Sequence, residues 1–168
     1  MQNDKCISNR GFSLIELLVV VLIIGILAAI TLPQYRFATM KARYMQAMTA
    51  AEAIFKSEQN YYLMNGRYSY DFSTLDVEIP GETQKYNSVS YQYRWGQCNL
   101  KSAWYGFVVC DIDKSGITLG YFIQFSTSIK RCTVIPSDNE LGNKFCQKVT
   151  GKTISQSFVD GFTRYYTY

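Results

Sequence analysis

The sequence predicts an α+β chain: one long N-terminal helix whose second half packs on an antiparallel four-stranded sheet. Three observations carry that expectation. Residues 12–32 form an apolar run broken only by Ser13, Glu16 and Thr31. Apolar residues then recur at three- and four-residue steps from Tyr35 to Tyr62, the signature of a helix with one buried stripe. From residue 89 onward, short stretches rich in aromatic and β-branched residues alternate between turn signals, as strands do.

The bulk numbers suit one ordinary domain with an appendage. The chain has 168 residues, 18% of them charged and 15% aromatic, which excludes wholesale disorder. A net charge of +4 spread along the chain is too mild to argue for nucleic acid. There is no histidine, which removes His-based triads and the commonest metal ligand. No other nucleophile and base stand at a catalytic spacing, so no enzyme and no cofactor are expected.

The first element is membrane-length, since a bilayer core needs about 20 apolar helical residues. A secretory signal is shorter and ends in a small-residue cleavage site, whereas this run flows on past Pro33. Glu16 is unexpected in a plain anchor. A carboxylate at the centre of a membrane helix costs about 2.5–3.5 kcal/mol even on a lenient scale; near the edge it costs less, but an anchor gains nothing from it. If the chain is cut between Gly11 and Phe12, the new α-amine is a cation on the same helical face as Glu16, and neighbouring chains present the same amine. The acid then makes sense as half of an ion pair created by processing.

Gly11-Phe12-Ser13-Leu14-Ile15-Glu16 followed by the apolar run resembles the class III signal of type IV prepilins and their pseudopilin relatives. The resemblance implies a leader at 1–11, cleaved after Gly11 by a prepilin peptidase, and methylation of Phe12. It further implies a membrane and assembly helix at 12–32, an exported globular domain at 33–168 and Glu16 as the acid of filament assembly. The implied partners are copies of the chain itself, the peptidase, an inner-membrane assembly platform and the inner membrane. The implied destination is an extracellular pilus or a periplasmic pseudopilus. Cleavage also removes Cys6, leaving Cys98, Cys110, Cys132 and Cys146, an even set that fits an oxidising, exported compartment. Flanking charges do not fix orientation, because Lys5 and Arg10 precede the span while Arg36, Lys41 and Arg43 follow it.

Beyond the span, Pro33 is expected to bend or open the helix, since it lacks an N–H and clashes with the preceding turn. Gly25, Ala28 and Ala29 allow close helix approach, and in some related filaments the helix loosens between a glycine and a proline placed like Gly25 and Pro33. Asn65-Gly66 supplies the stop. "YYLMNGRYS" at 61–69 is again similar to the family, which usually has proline where Ser69 stands. Residues 70–88 read as a link. The four expected strands are 89–95, 104–112, 117–126 and 129–135, the last three forming a meander. Pro136 ends the last strand, and Ser137 with Glu140 reads as a capping box opening a short helix towards Lys148, weakened by Gly142.

Three motifs remain. "DIDKSGITLGYF" at 111–122 matches half of a calcium loop through Asp111, Asp113, Ser115 and Gly116, but has Phe122 where a bidentate glutamate belongs. A turn between strands uses the same residues, so a turn is expected, with Asp111 and Asp113 kept as a weak calcium candidate. The four late cysteines lack a C-x-x-C pair, which disfavours zinc, and allow three disulfide pairings. Cys132–Cys146 would clip the last strand to the short helix and is similar to the C-terminal disulfide loop of many pilins; Cys98–Cys110 would then staple a loop to the following strand. Finally, Arg164, Tyr165, Tyr166 and Tyr168 could stack on nucleic acid or a sugar, but packing as an edge strand is the expectation. The family fold implied is the pilin ladle, with a type IV pilus subunit preferred to a type II secretion pseudopilin. A membrane-tethered exported binding module is third.

Overall fold

A computed structural model describes residues 12–79, 83–93, 95–101, 106–114, 116–153, 156–157 and 163–168. Helix α1 runs Leu14–Asn65. The chain divides into two compact units, Met1–Met40 and Lys41–Tyr168, so α1 contributes to both.

In the second unit the apolar stripe does what its spacing predicts. Tyr44, Ala47, Ala51 and Ile54 are fully buried. Gly66 ends α1 at φ +70°, a left-handed conformation that glycine adopts without steric cost, and its N–H donates to Tyr62 O at 2.8 Å.

Among the described residues the sheet has eight strands, not four. They are β1 (Thr83–Asn87), β2 (Ser90–Tyr93), β3 (Gly96–Lys101), β4 (Phe107–Lys114), β5 (Ile117–Gln124), β6 (Lys130–Ile135), β7 (Gln156–Ser157) and β8 (Arg164–Thr167). All neighbours are antiparallel and the order is β1-β2-β3-β4-β5-β6-β8-β7. The central meander matches the expectation, although Trp104 and Tyr105 lie outside the described residues. The additional strands are polar in sequence, so their alternation was hidden.

One sheet face carries the core: Val108, Cys110, Ile112, Leu119, Tyr121, Ile123, Cys132 and Val134 are all buried. Tyr44 of α1 meets Tyr121 edge-on at 6.2 Å, and Glu52 of α1 accepts the Tyr121 hydroxyl at 2.7 Å and pairs with Lys130 at 2.6 Å. Helix α2 (Glu140–Thr150) docks on the same face, with Phe145 5.1 Å from Tyr44.

The cap of α2 differs from expectation. Asn139, not Ser137, is the N-cap, and its side chain accepts the Gly142 N–H at 2.8 Å. Either residue type can cap; here Asn139 directly precedes the first helical residue, while the Ser137 carbonyl instead accepts the Asn143 side-chain amide at 2.9 Å. The helix continues to Thr150 and stops at Gly151, φ +70°. Gly142 is also more than a weak point. A Cβ there would sit 2.6 Å from Val134 Cγ1, so the missing side chain is what lets α2 approach β6.

Candidate functional site

The first unit exposes the residues that chemistry would use. Phe12 is 79% exposed, and the large apolar residues from Leu14 to Leu32 are 45–83% exposed. The most apolar window of α1 has a mean hydropathy of 3.0. A helix apolar all round is stable only when lipid or other helices cover it. Leu18, Leu22, Gly25 and Ala29 line a shallow apolar groove, and a Cβ on Gly25 would meet nothing within 4 Å. Small residues in such a groove let a second helix come close.

Glu16 is not left idle in the single chain. Its Oε2 accepts the Ser13 backbone N–H at 2.8 Å, and Leu17 N–H donates to Ser13 O at 3.3 Å. Ser13 and Glu16 are the N-cap and N3 residues of a capping box, in which the N3 acid satisfies the N-cap N–H. Sequence reasoning missed this role, although the S-x-x-E pattern before an apolar run was its signal. A carboxylate has two oxygens and about four acceptor positions, so the cap leaves capacity for a cation. Gly11 and the rest of residues 1–11, Cys6 included, lie outside the described residues.

Helical structure is continuous through Gly25 and Pro33. Pro33 lies within that helix, with helical residues on both sides of it.

Both disulfides form. Cys132 on β6 joins Cys146 on α2, with Cα atoms 5.6 Å apart. Cys98 and Cys110 are direct cross-strand partners on β3 and β4, 4.0 Å apart, so this bond joins two strands and not a loop to a strand. All four sulfurs belong to buried residues.

The calcium-like segment folds as the end of β4, a turn and β5. Asp111 and Asp113 extend from a strand, and Asp113 accepts the Thr118 hydroxyl at 2.7 Å. Ser115 lies outside the described residues. Burial pushes the Asp111 carboxyl up to about 7, with Asp113 adding to the rise and Lys101 opposing it. Among the described residues, no group of three or more His, Cys, Asp or Glu is placed to hold a metal.

The tyrosine-dense end is strand β8, but it lies between β6 and β7 and is not the edge. Tyr166 is buried and donates to Asn143 Oδ1 at 3.0 Å, while the Tyr168 and Tyr44 hydroxyls lie 2.9 Å apart. Tyr165 meets Phe122 edge-on. These rings are committed to the fold.

Comparison with known proteins adds an independent line. Residues 7–32 match the family described as the prokaryotic N-terminal methylation motif. The chain is 35% identical over 97 residues to the type IV major pilin protein PilA of Myxococcus xanthus, covering 56% of this chain and 42% of that protein. It is 38% identical over 72 residues to the type IV major pilin protein PilE1 of Neisseria gonorrhoeae, covering 43% and 44%. The match thus spans less than half the length of these two relatives. Similarity to the fimbrial protein of Moraxella nonliquefaciens is far more extensive, at 43% identity over 153 residues, 87% of this chain and 89% of that one. No solved structure matches the chain.

Proposed function

This chain belongs to the type IV pilin family, and from that membership we propose that it is a structural, non-enzymatic subunit of a pilus filament. The observation that carries the reading is the uncovered apolar helix from Leu14 to Leu32 with a single acid, Glu16, in its first turn. Such a surface needs partners of its own kind once it leaves lipid.

In this reading a prepilin peptidase cuts after Gly11 and Phe12 receives a methyl group on its new amine. Residues 12–32 hold the subunit in the inner membrane while residues 33–168 fold on the exported side, where Cys98–Cys110 and Cys132–Cys146 close. An inner-membrane platform then passes subunits into a filament whose core is a bundle of α1 helices. Within that bundle Glu16 keeps its cap on Ser13 and accepts a Phe12 amine, its own or a neighbour's. The low dielectric strengthens this pair and makes an unpaired amine costly. Gly25 and Pro33 mark the stretch of α1 that loosens on assembly, because Pro33 contributes no N–H to hold the turn.

A type II secretion pseudopilin is the second reading. The relatives named above are pilins and fimbrial proteins, and two disulfides suit a subunit exposed outside the cell. A membrane-tethered exported binding module is third. Immunogold imaging with an antibody to residues 70–168 separates the three. Labelled surface filaments support the pilus subunit. Processed protein confined to the envelope points to the pseudopilin, and uncleaved protein to the tethered module.

A further inference from the structure

Where α1 gives way to the loop after Gly66, the second unit carries an open cleft of about 540 Å³, within the roughly 300–1,000 Å³ range of small-molecule sites. We propose that this cleft binds a neutral pyranose saccharide, with the Tyr61 ring covering the sugar's apolar face and Arg67 and Asp71 bonding its hydroxyls. The inference is independent of the filament reading.

The lining has the chemistry such a ligand requires. Tyr61 offers a ring with a polar tip, Tyr68 and Tyr70 form a wall through rings packed on Phe125, and Arg67, Asp71 and Thr74 add donors and acceptors. Aromatic faces pack against C–H groups while their hydroxyls reach a polar rim, and charged groups make the stronger hydrogen bonds. Arg67 is exposed and makes no ion pair with any described residue. One cation and one anion line the cleft. That balance suits an uncharged, hydroxyl-rich ligand and disfavours single-stranded nucleic acid, which needs a basic groove.

The cleft is also held in shape. Beneath it Glu58 is 0% exposed, and its two oxygens accept the N–H groups of Ser69 at 2.9 Å and Tyr70 at 3.0 Å. A proline at 69 would have no N–H to give. Thr74 donates to Asp71 O at 2.9 Å and also contacts the Ser69 hydroxyl, and Asp71 Oδ1 accepts the Ser73 N–H at 2.8 Å. Tyr62 and Tyr68 stack with centroids 4.7 Å apart. Tyr70 takes φ +55°, a strained conformation for a bulky residue of the kind that gathers at functional sites. A plain linker requires neither a buried acid nor a strained tyrosine.

The test uses the full mature chain in a zwitterionic detergent with no sugar headgroup. It is applied to an array of neutral and acidic glycans that includes cell-surface-type branched glycans and fragments of bacterial matrix polysaccharides, with an oligothymidine as competitor. Binding to neutral pyranose glycans is expected, and which set responds distinguishes a cell surface from a secreted matrix as the source. Arg67→Ala and Tyr61→Ala, both outside the core, are each expected to weaken binding about tenfold, with the disulfides and circular dichroism unchanged. Absence of neutral-glycan binding, binding by both variants as tight as the parent's, or a response only to oligothymidine or acidic glycans overturns the proposal.

Discussion

Glu16 reaches back over the first turn of α1 and takes the backbone N–H of Ser13 at 2.8 Å. A residue expected to serve only assembly therefore has a second task in the single chain. Substitution separates the two. Glu16→Gln keeps an acceptor for the Ser13 N–H and loses the charge, whereas Glu16→Ala loses both. The cap is worth about 1 kcal/mol. Both variants are expected to remain cleaved and membrane-inserted while sheared filament yield falls at least tenfold. Normal filaments from Glu16→Gln cells would show that the cap, and not the charge, is what assembly uses.

The mature chain is expected to begin at methylated Phe12. Mass spectrometry of the N-terminal peptide checks this, and Gly11→Val is expected to block processing by filling the space next to the cut bond. A filament-borne chain still carrying Met1 to Arg10 would contradict it.

The cysteines are expected to resist alkylation in the mature, unreduced protein, since Cys98, Cys110, Cys132 and Cys146 are paired and buried. The double variant Cys132→Ala/Cys146→Ala is expected to lose about 2–4 kcal/mol and to loosen α2. Urea unfolding measures the first effect, and amide exchange over residues 140–150 the second. Exchange as slow as in the parent would mean that packing alone holds α2.

Gly142→Ala sets helix propensity against packing. Alanine favours a helix interior by about 1 kcal/mol over glycine, but its Cβ would lie 2.6 Å from Val134 Cγ1 and 3.3 Å from Leu119 Cδ2. Packing is expected to win, with a net loss of about 1–3 kcal/mol. A raised melting temperature would show that α2 can move away from Val134 and admit the methyl group without loss.

Asp111 gives the stability a pH dependence. Its carboxyl is held up at about 7 by burial and by Asp113, against Lys101. A carboxyl that binds its proton more tightly when folded favours the folded state at low pH. That contribution fades as pH rises from about 4 through about 7. Asp111→Asn removes the dependence, so the parent is expected to lose on the order of 2 kcal/mol more than the variant between pH 5 and pH 8. Parallel urea curves at the two pH values test it, and equal losses would mean that Asp111 is already ionised at pH 5.

The parts of this fold that were legible in the sequence are those where hydrophobicity repeats at one period. Tyr44, Ala47, Ala51 and Ile54 announce the buried side of α1, and the run from Ile117 to Ile123 announces a central strand. Strands β1, β3 and β8 read as TQKYN, GQCNLK and RYYT, too polar to stand out before their neighbours are known. The spacing of Ser137 to Glu140 suggested the cap of α2, but the helix starts at Glu140, which puts Asn139 in the capping place. At the candidate site the acid was legible from its isolation in an apolar run, whereas its bond to the Ser13 N–H follows only once the helix is seen to start at Leu14. The loop over Glu58 was illegible, since a buried acid shows no signal until the two N–H groups that justify it are in place.

The strand order carries a consequence for biogenesis. Strand β8 is the last described strand in the chain, yet it lies inside the sheet between β6 and β7. Until it arrives, β6 presents a bare edge of unpaired backbone groups, the kind of surface that recruits other chains. Tyr44 in the middle of α1 also waits for Tyr168. The domain therefore cannot finish folding from its N-terminus outward, and a copy truncated before residue 164 exposes a sticky ledge. Four residues of strand thus decide whether β6 is closed against its surroundings or open to aggregation.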